Sequence, residues 1–263
     1  MPRDARDCYD ELADHYDLVF ENWEASITRQ AETLGSILRQ ECNATGTIRI
    51  LDCACGIGTQ ALGLAKMGFA VSASDISPAA VVRLRMEASQ RGLDIPAFVA
   101  DMVDLDSVPE SNFEAVICMD NALPHLESDE QLVRALRQIR KKLRPQGLLM
   151  ASIRDYDRLI VEKPKMQGPA FYYDNKKRRI VLQVWDWIDD LRYVFHLYIT
   201  RETANGWQTF HSTAGYRALE RNKLTNALNQ AGFRNVRWLL PTVSGFYQPI
   251  VLAHADETAL ASF

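Results

Sequence analysis

The stretch that decides the fold runs from Ile50 to Gln60 and reads Ile-Leu-Asp-Cys-Ala-Cys-Gly-Ile-Gly-Thr-Gln. An apolar run ends there in a turn with two glycines, and a helical pattern begins directly after it. About twenty residues later a second apolar run ends on an acid, Asp75. Glycines let the backbone approach a ligand closely, and the Asp75 carboxylate can accept both hydroxyls of a ribose. The pattern therefore predicts a nucleotide-bearing cofactor at the edge of a parallel sheet.

Strand and helix patterns alternate along the first half of the chain. We predict strands over residues 48–53, 70–74, 97–100, 113–119 and 148–153, with helices over 59–67, 78–91 and 129–143. The fourth run is continuously apolar, as is typical of a parallel strand covered on both faces. This alternation predicts a parallel sheet with right-handed crossovers.

The pattern differs at both ends of the chain. Residues 5–40 predict helix, with two apolar stripes at three-to-four spacing. Residues 170–218 alternate with period two, which predicts an antiparallel meander. A helix over 219–231 and two antiparallel strands over 236–240 and 249–253 follow.

We therefore expect a single α/β domain over residues 1–263, with a Rossmann-like seven-stranded mixed sheet and helices on both faces. Its expected parts are an N-terminal helical lid (1–45), a cofactor-binding core (46–155), an inserted antiparallel β meander (170–218), and a closing helix and strands (219–255).

Composition limits the classes of partner. The chain has 263 residues, 47% of them hydrophobic, and a net charge of -4, so we expect neither a nucleic-acid nor a membrane partner. The one basic run, residues 176–179, follows Asp174-Asn175 and predicts a solvated hairpin turn. The start of the chain does not resemble a signal peptide, and the five cysteines suit a reducing compartment, which predicts a cytoplasmic protein. No metal-ligand spacing stands out.

Two cofactors compete for the glycine turn. Gly56-x-Gly58-x-x-Ala61 fits the dinucleotide form. S-adenosylmethionine is favoured by Asp52, an acid inside the first strand, and by Asp101, which ends the third strand where an adenine amino group needs an acceptor, with Met102 beside it to flank the ring. Residues 120–126 follow the fourth strand and bring polar groups to the same edge.

At this point the chain resembles the class I S-adenosylmethionine-dependent methyltransferases. The resemblance covers roughly residues 9–255 and rests on four motifs in order. They are Leu51-Asp52-Cys53-Ala54-Cys55-Gly56-Ile57-Gly58-Thr59, Ala73-Ser74-Asp75-Ile76-Ser77, Ala100-Asp101-Met102 and Leu143-Arg144-Pro145-Gln146-Gly147. Ala54 and Gln146 stand where the family usually has glycine.

Within that class the chain is similar to the glycine and sarcosine N-methyltransferases. They share the Ala-Cys-Gly turn, an N-terminal aromatic helix like the one that holds Tyr16 and Trp23, and Arg-Asn-Tyr-Asp after the fifth strand, which here is Arg154-Asp155-Tyr156-Asp157. The resemblance implies that Arg29 holds the carboxylate of the cofactor's methionine. It also implies that Arg154 holds the carboxylate of an amino-acid substrate.

The candidate site follows from the motifs and the resemblance together. The catalytic candidates are Tyr16, Asn121 and Arg154. The candidates for binding S-adenosylmethionine and its product S-adenosylhomocysteine are Tyr16, Trp23, Arg29, Asp52, Ala54, Gly56, Gly58, Asp75, Ile76, Asp101, Met102, Asp120, Asn121 and His125. The turn between the closing strands should bring Phe246, Tyr247 and Gln248 to the mouth of the pocket.

Several alternatives stay open at this stage. The favoured function is in-line methyl transfer to a small molecule, first an amino-acid amine of the glycine or sarcosine type. A natural-product O- or N-methyltransferase, a non-catalytic S-adenosylmethionine-binding protein and a nicotinamide dehydrogenase are the alternatives. His125 is a general base or a structural histidine, and Arg154 either binds substrate or pairs with Asp155 or Asp157. The apolar meander, with Val184, Trp185, Trp187 and Phe195, suggests a possible homo-oligomer.

Overall fold

A computed structural model describes residues 4–42, 46–174 and 177–256. In chain order its elements are α1 (Ala5–Leu12), α2 (Trp23–Cys42), β1 (Arg49–Asp52), α3 (Thr59–Lys66), β2 (Ala70–Asp75), α4 (Pro78–Gln90), β3 (Ala97–Val99), β4 (Phe113–Cys118), α5 (Asp129–Lys142), β5 (Leu143–Ser152), α6 (Tyr156–Glu162), β6 (Met166–Asp174), β7 (Lys177–Trp187), β8 (Arg192–Thr203), β9 (Gly206–Arg217), α7 (Arg221–Gln230), β10 (Phe233–Leu239), α8 (Pro241–Ser244) and β11 (Ile250–Ala255).

Seven strands form the main sheet, in the order β10-β11-β5-β4-β1-β2-β3. The first five strands of the chain are parallel to one another, and β11 runs antiparallel to both β5 and β10. The buried run Ala115–Cys118 lies in the middle of this sheet, where both faces are covered. The predicted Rossmann-like mixed sheet is therefore confirmed. The carboxyl ends of β1 to β5 meet at one edge, where a ligand is expected in such a sheet.

The structure confirms helix over most of residues 5–40 but divides it between Leu12 and Trp23. The chain forms α1, a 3₁₀ turn over Tyr16–Val19, and α2. Asn22 caps the new helix, because its side-chain oxygen accepts the backbone N–H of Ala25 at 2.9 Å. The two apolar stripes pack against different parts of the molecule. Leu12 joins a cluster with residues of β7 and β8, whereas Leu34 lies in the core of the main sheet.

Differences elsewhere are local. β5 begins at Leu143 rather than at residue 148, because Leu143 already pairs with Phe113 before the register shifts. Gln146 takes a left-handed backbone conformation (φ 60°) inside that shift. The sequence did not predict α6 or the short α8.

Four strands, β6 to β9, form a separate antiparallel sheet over residues 166–217, which begins four residues before the predicted meander. Its inner face packs on the main domain, and Trp185 points inward with only 3% of its surface exposed. Trp185 therefore cannot contribute to a surface for a second copy, and the oligomeric state remains a prediction.

The basic run lies at the β6–β7 turn, where residues 175 and 176 are outside the described residues. Arg178 is exposed and pairs with Glu202. Arg179, in contrast, is buried and donates to the carbonyl of Leu18. The prediction of a wholly solvated run is therefore wrong for Arg179. Residues 1–3 and 43–45 of the predicted lid also lie outside the described ranges. No helix in the described part of the chain is both long and apolar enough to cross a membrane.

Candidate active site

Two adjoining cavities open at the carboxyl edge of the main sheet. Cavity A has a volume of about 820 Å³, and the predicted residues that line it are Tyr16, Ala54, Gly56, Asp75, Ile76, Asp101, Met102, Asp120 and His125. Cavity B has a volume of about 880 Å³, and its predicted lining residues are Tyr16, Arg29, Asp120, Arg154, Phe246, Tyr247 and Gln248. Trp23, Asp52, Gly58 and Asn121 line neither cavity.

The glycine turn and Asp75 form one wall of cavity A. The two oxygens of the Asp75 carboxylate accept the backbone N–H groups of Gly56 at 2.8 Å and Ser77 at 2.9 Å. A carboxylate offers about four acceptor positions, so the group can accept a further hydrogen bond. Gly58 shapes the turn without reaching the cavity: its φ is 99°, and a Cβ there would lie 2.3 Å from Leu84. The wall is therefore held by hydrogen bonds and by close packing.

The chemistry of cavity A fits S-adenosylmethionine. Gly56 has φ 51°, and a Cβ at this position would point into open space, so the backbone is accessible to a ligand. Asp101 lies further along the edge after β3, where one of its oxygens accepts the backbone N–H of Val103 at 3.0 Å. Met102 lines the same end. Carboxylates at two separate points of one cavity suit a ribose and an adenine amino group.

Asp52 is fully buried behind this wall. Neither carboxylate oxygen has a hydrogen bond of normal geometry among the described residues. Burial raises the pKa of Asp52 to about 8, despite the opposing effect of the Ala54 backbone N–H. The carboxyl group is therefore largely protonated at neutral pH.

Arg154 follows β5 and carries an unneutralised charge into cavity B. Its guanidinium carbon lies 4.8 Å from the ring centre of Trp185, 5.1 Å from Phe195 and 5.0 Å from Tyr216. Its Nη1 donates to the hydroxyl of Tyr193 at 2.7 Å. No carboxylate pairs with Arg154 within the described ranges.

The acids next to Arg154 pair elsewhere. The Asp155 carboxylate lies 3.4 Å from Nη1 of Arg221. The Asp157 carboxylate lies 2.9 Å from Nε of the same arginine. The alternative of a surface ion pair between Arg154 and these acids is therefore wrong. A partly buried guanidinium without an ion-pair partner has the chemistry to bind an anion such as a carboxylate.

Asn121 holds Arg154 from behind. Its Oδ1 accepts the backbone N–H of Arg154 at 3.0 Å, and its Nδ2 donates to the Tyr156 hydroxyl at 3.0 Å. The side chain is 1% exposed and lines neither cavity. This geometry gives Asn121 a positioning role for Arg154.

His125 makes two hydrogen bonds inside cavity A. Its Nδ1 lies 3.2 Å from the Gly215 carbonyl, and its Nε2 lies 3.0 Å from the Tyr9 hydroxyl. Burial lowers the pKa of His125 to about 4, so the imidazole is neutral at pH 7. Because the carbonyl requires a proton on Nδ1, Nε2 accepts the hydrogen bond from Tyr9. Both nitrogens are thus in use, which favours the structural interpretation over the general base.

Two predicted ligand residues lie away from cavity A. Trp23 packs between helices, where its Nε1 donates to Thr59 at 2.9 Å and Arg91 lies 5.5 Å from its ring. Arg29 is exposed at cavity B and donates to the Ser26 hydroxyl at 3.2 Å. Arg29 therefore lines cavity B, whereas Asp101 lines cavity A.

The sequence prediction missed the side chains that surround Arg154. Tyr193 on β8 and Tyr216 on β9 pair directly across the strands and stack at 5.5 Å between ring centres. Tyr9 on α1 lies 3.2 Å from the Tyr216 hydroxyl. The signal available was the hairpin turn between Thr203 and Gly206, because the register that it sets pairs residues 193 and 216.

Comparisons with known proteins agree with this geometry. Residues 50–147 match the model of a family described as a methyltransferase domain. The glycine/sarcosine N-methyltransferase of Aphanothece halophytica is 26% identical over 174 residues, which cover 66% of this chain and 64% of that protein. The glycine N-methyltransferase of Rattus norvegicus is 34% identical over 151 residues, covering 52% of this chain and 49% of that protein. The chain thus matches less than two thirds of these relatives' length.

Solved structures share the fold over nearly the whole chain. DesVI from Streptomyces venezuelae superposes with a TM-score of 0.78 at 17% identity, over 93% of this chain and 98% of DesVI. The sugar N-methyltransferase KedS8 from Streptoalloteichus gives a TM-score of 0.73 at 19% identity, over 92% of this chain and 93% of KedS8. At such identities the likeness concerns the fold.

Proposed function

We propose that this chain, which contains a methyltransferase domain of the S-adenosylmethionine-dependent class, methylates the amine of a small molecule that carries a carboxylate. The match of residues 50–147 to a methyltransferase-domain family supports the class expected from the glycine turn. The observation that carries the acceptor proposal is Arg154, which is partly buried in cavity B without an ion-pair partner, beside the cavity that fits the cofactor.

Each of the two cavities would bind a different molecule. In cavity A, Asp75, Asp101, Met102 and the Gly56 backbone would hold the cofactor, which when bound supplies an activated sulfonium methyl group. In cavity B, Arg154 would grip the acceptor carboxylate with two parallel hydrogen bonds. Catalysis needs little more than an acceptor atom held about 3–3.5 Å from the methyl carbon in a dry site.

The relatives support an amine as the acceptor. The curated proteins similar to this chain are glycine and glycine/sarcosine N-methyltransferases, and KedS8 is a sugar N-methyltransferase. We therefore take glycine and sarcosine as the first acceptors to test. A second candidate acceptor is the amine of a larger molecule. The volume of cavity B, about 880 Å³, favours it because glycine alone would not fill that space.

The test compares acceptors that differ only in charge. Release of S-adenosylhomocysteine is measured with glycine, sarcosine and a set of larger amino acids, and then with the carboxamide of each active compound. We expect carboxylates to be methylated with a kcat/KM about 100-fold above that of their carboxamides, since Arg154 would lose its ionic partner. Equal rates would contradict the carboxylate proposal. Cofactor binding without product from any acceptor would support the non-catalytic alternative.

A further inference from the structure

Asp120 lies where the two cavities meet. Asp120 and Tyr16 are the only described residues that line both cavity A and cavity B. A methyl group that moves from a donor in cavity A to an acceptor in cavity B must therefore pass beside these two side chains. Tyr16 carries a neutral phenol, because burial and the nearby Asp120 raise its pKa. Asp120 is thus the one carboxyl group among the described residues that line both cavities.

The chain holds the Asp120 carboxylate rigidly. Gln60 Nε2 donates to Oδ2 at 2.8 Å, and the Tyr247 hydroxyl donates to Oδ1. The backbone N–H of Asp120 donates to the Ser152 hydroxyl at 2.9 Å. Asp120 also takes a left-handed conformation, with φ 56°, which a residue other than glycine rarely adopts. These contacts fix the carboxylate at the junction.

The carboxylate retains capacity for a further donor. A carboxylate offers about four acceptor positions, of which Gln60 and Tyr247 use two. Burial raises the pKa of Asp120, while the hydrogen bonds from Tyr247 and Gln60 and the charge of Arg154 lower it. The ionisable groups that face Asp120 are Arg154, Tyr16, Tyr247 and, behind the glycine turn, the largely protonated Asp52. No cation in the described part of the chain forms an ion pair with Asp120, although the charge of Arg154 is near enough to lower its pKa.

We propose that Asp120 receives the ammonium of the acceptor and takes one of its protons before methyl transfer. This inference rests on the proposed function and adds a catalytic residue to it. An N–H bond of the ammonium breaks, an O–H bond forms on Asp120, and the electron pair stays on nitrogen. That pair then bonds the methyl carbon while the pair of the carbon–sulfur bond leaves with sulfur, so charge and atoms balance.

The test uses sinefungin, an analogue in which a carbon bearing an ammonium replaces the methylated sulfur. Its ammonium stands where the transferred methyl would be. Calorimetry would give the ratio of the Kd of S-adenosylhomocysteine to that of sinefungin for wild type, Asp120→Asn and Asp101→Asn. We expect sinefungin to bind wild type about tenfold more tightly, because a charge-assisted hydrogen bond is added. Asp120→Asn should bring the ratio to about one.

The controls separate this inference from the proposed function. Asp101→Asn lies at the other end of cavity A and should weaken both ligands while it keeps their ratio. If Asp120→Asn weakens both ligands equally, Asp120 binds the cofactor's methionine ammonium instead, and the inference is overturned. If wild type binds neither ligand, the proposed function itself fails.

The proton-accepting role has its own readout in the pH profile. With the best acceptor from the screen, Asp120→Asn should lower kcat/KM strongly at pH 7. The loss should shrink as the pH approaches the acceptor's own pKa, since the free amine is then present in solution. A loss that is the same at every pH would indicate a structural effect and overturn the role.

Discussion

The charge of Arg154 is held by aromatic rings and a tyrosine hydroxyl rather than by an acid. Substituting lysine keeps the charge but removes the planar fork that grips a carboxylate at two points. We expect Arg154→Lys to lower kcat/KM for a carboxylate acceptor about 100-fold, with S-adenosylhomocysteine binding changed little. Steady-state kinetics and calorimetry measure the two effects. Arg158→Lys, an exposed arginine that also lines cavity B, is the matched control and should stay close to wild type.

Asp52 predicts a pH dependence of stability. Its pKa is about 8 in the folded protein and near its ordinary 3.8 when unfolded, so the folded state binds more protons between these values. The free energy of unfolding therefore falls as pH rises from about 4 to 8, by at most about 1.4 kcal/mol per pH unit. Asp52→Asn, which cannot ionise, should lack this loss.

Urea unfolding of both proteins without cofactor, at pH 5 and pH 8, measures the effect. We expect Asp52→Asn to gain stability relative to wild type at pH 8 and to differ much less at pH 5. If the free energies of unfolding of the two proteins differ equally at pH 5 and pH 8, Asp52 does not titrate between these values in the folded protein.

Residues near the glycine turn were predictable from the sequence because their spacing follows from the strand ends. Gly56, Asp75, Asp101 and Met102 each sit at the end of a parallel strand and line one cavity. Tyr193 and its neighbours around Arg154 were not predictable from the sequence. Their contact depends on the register of strands whose residues are distant in sequence.

At the scale of elements, α1 is fastened to α4 by one carboxylate. Asp10 accepts the Ser77 hydroxyl at 2.5 Å and the Ala79 backbone N–H at 3.0 Å, at the N-terminus of α4. Removing such a capping acceptor costs about 1 kcal/mol. We expect Asp10→Ala to lower Tm by about 2 °C and to weaken S-adenosylhomocysteine binding, because α1 covers cavity A.

Asp7→Ala is the matched control for this prediction. Asp7 lies exposed on the same helix, so the substitution removes the same charge without breaking those bonds. Thermal unfolding should give a lower Tm for Asp10→Ala than for Asp7→Ala. Calorimetry should give weaker S-adenosylhomocysteine binding for Asp10→Ala than for Asp7→Ala. Equal behaviour would mean that α1 is not held by Asp10.

The elements of the main sheet were predictable from the sequence because apolar runs and glycine stops define them locally. The division of the N-terminal segment into two helices was not predictable from the sequence, because both of its apolar stripes also fit one helix. Only the tertiary structure separates them, with Leu12 packed on the meander and Leu34 on the main sheet. The early start of β5 likewise depends on its pairing with β4.

At the scale of the molecule, α1 joins the antiparallel sheet to the cofactor cavity. Cys8 Sγ lies 3.2 Å from the Ser212 hydroxyl on β9, and Tyr9 reaches both His125 and Tyr216. Binding in cavity A should therefore stabilise elements on both sides. We expect S-adenosylhomocysteine to slow hydrogen exchange in α1, β9 and the glycine turn, with α7 unaffected. Protection confined to the main sheet would contradict this coupling.

The cofactor site at the glycine turn is tested most directly by calorimetric titration of wild type, Asp75→Ala and Asp94→Ala with S-adenosylhomocysteine and NAD. Asp75 binds the glycine turn and faces cavity A, whereas Asp94 is an exposed acid nearby in sequence. We expect micromolar binding of the adenosyl ligand to wild type and Asp94→Ala, loss of binding in Asp75→Ala, and no binding of NAD. Absence of adenosyl binding to wild type, or unchanged binding in Asp75→Ala, would contradict a cofactor site at the glycine turn.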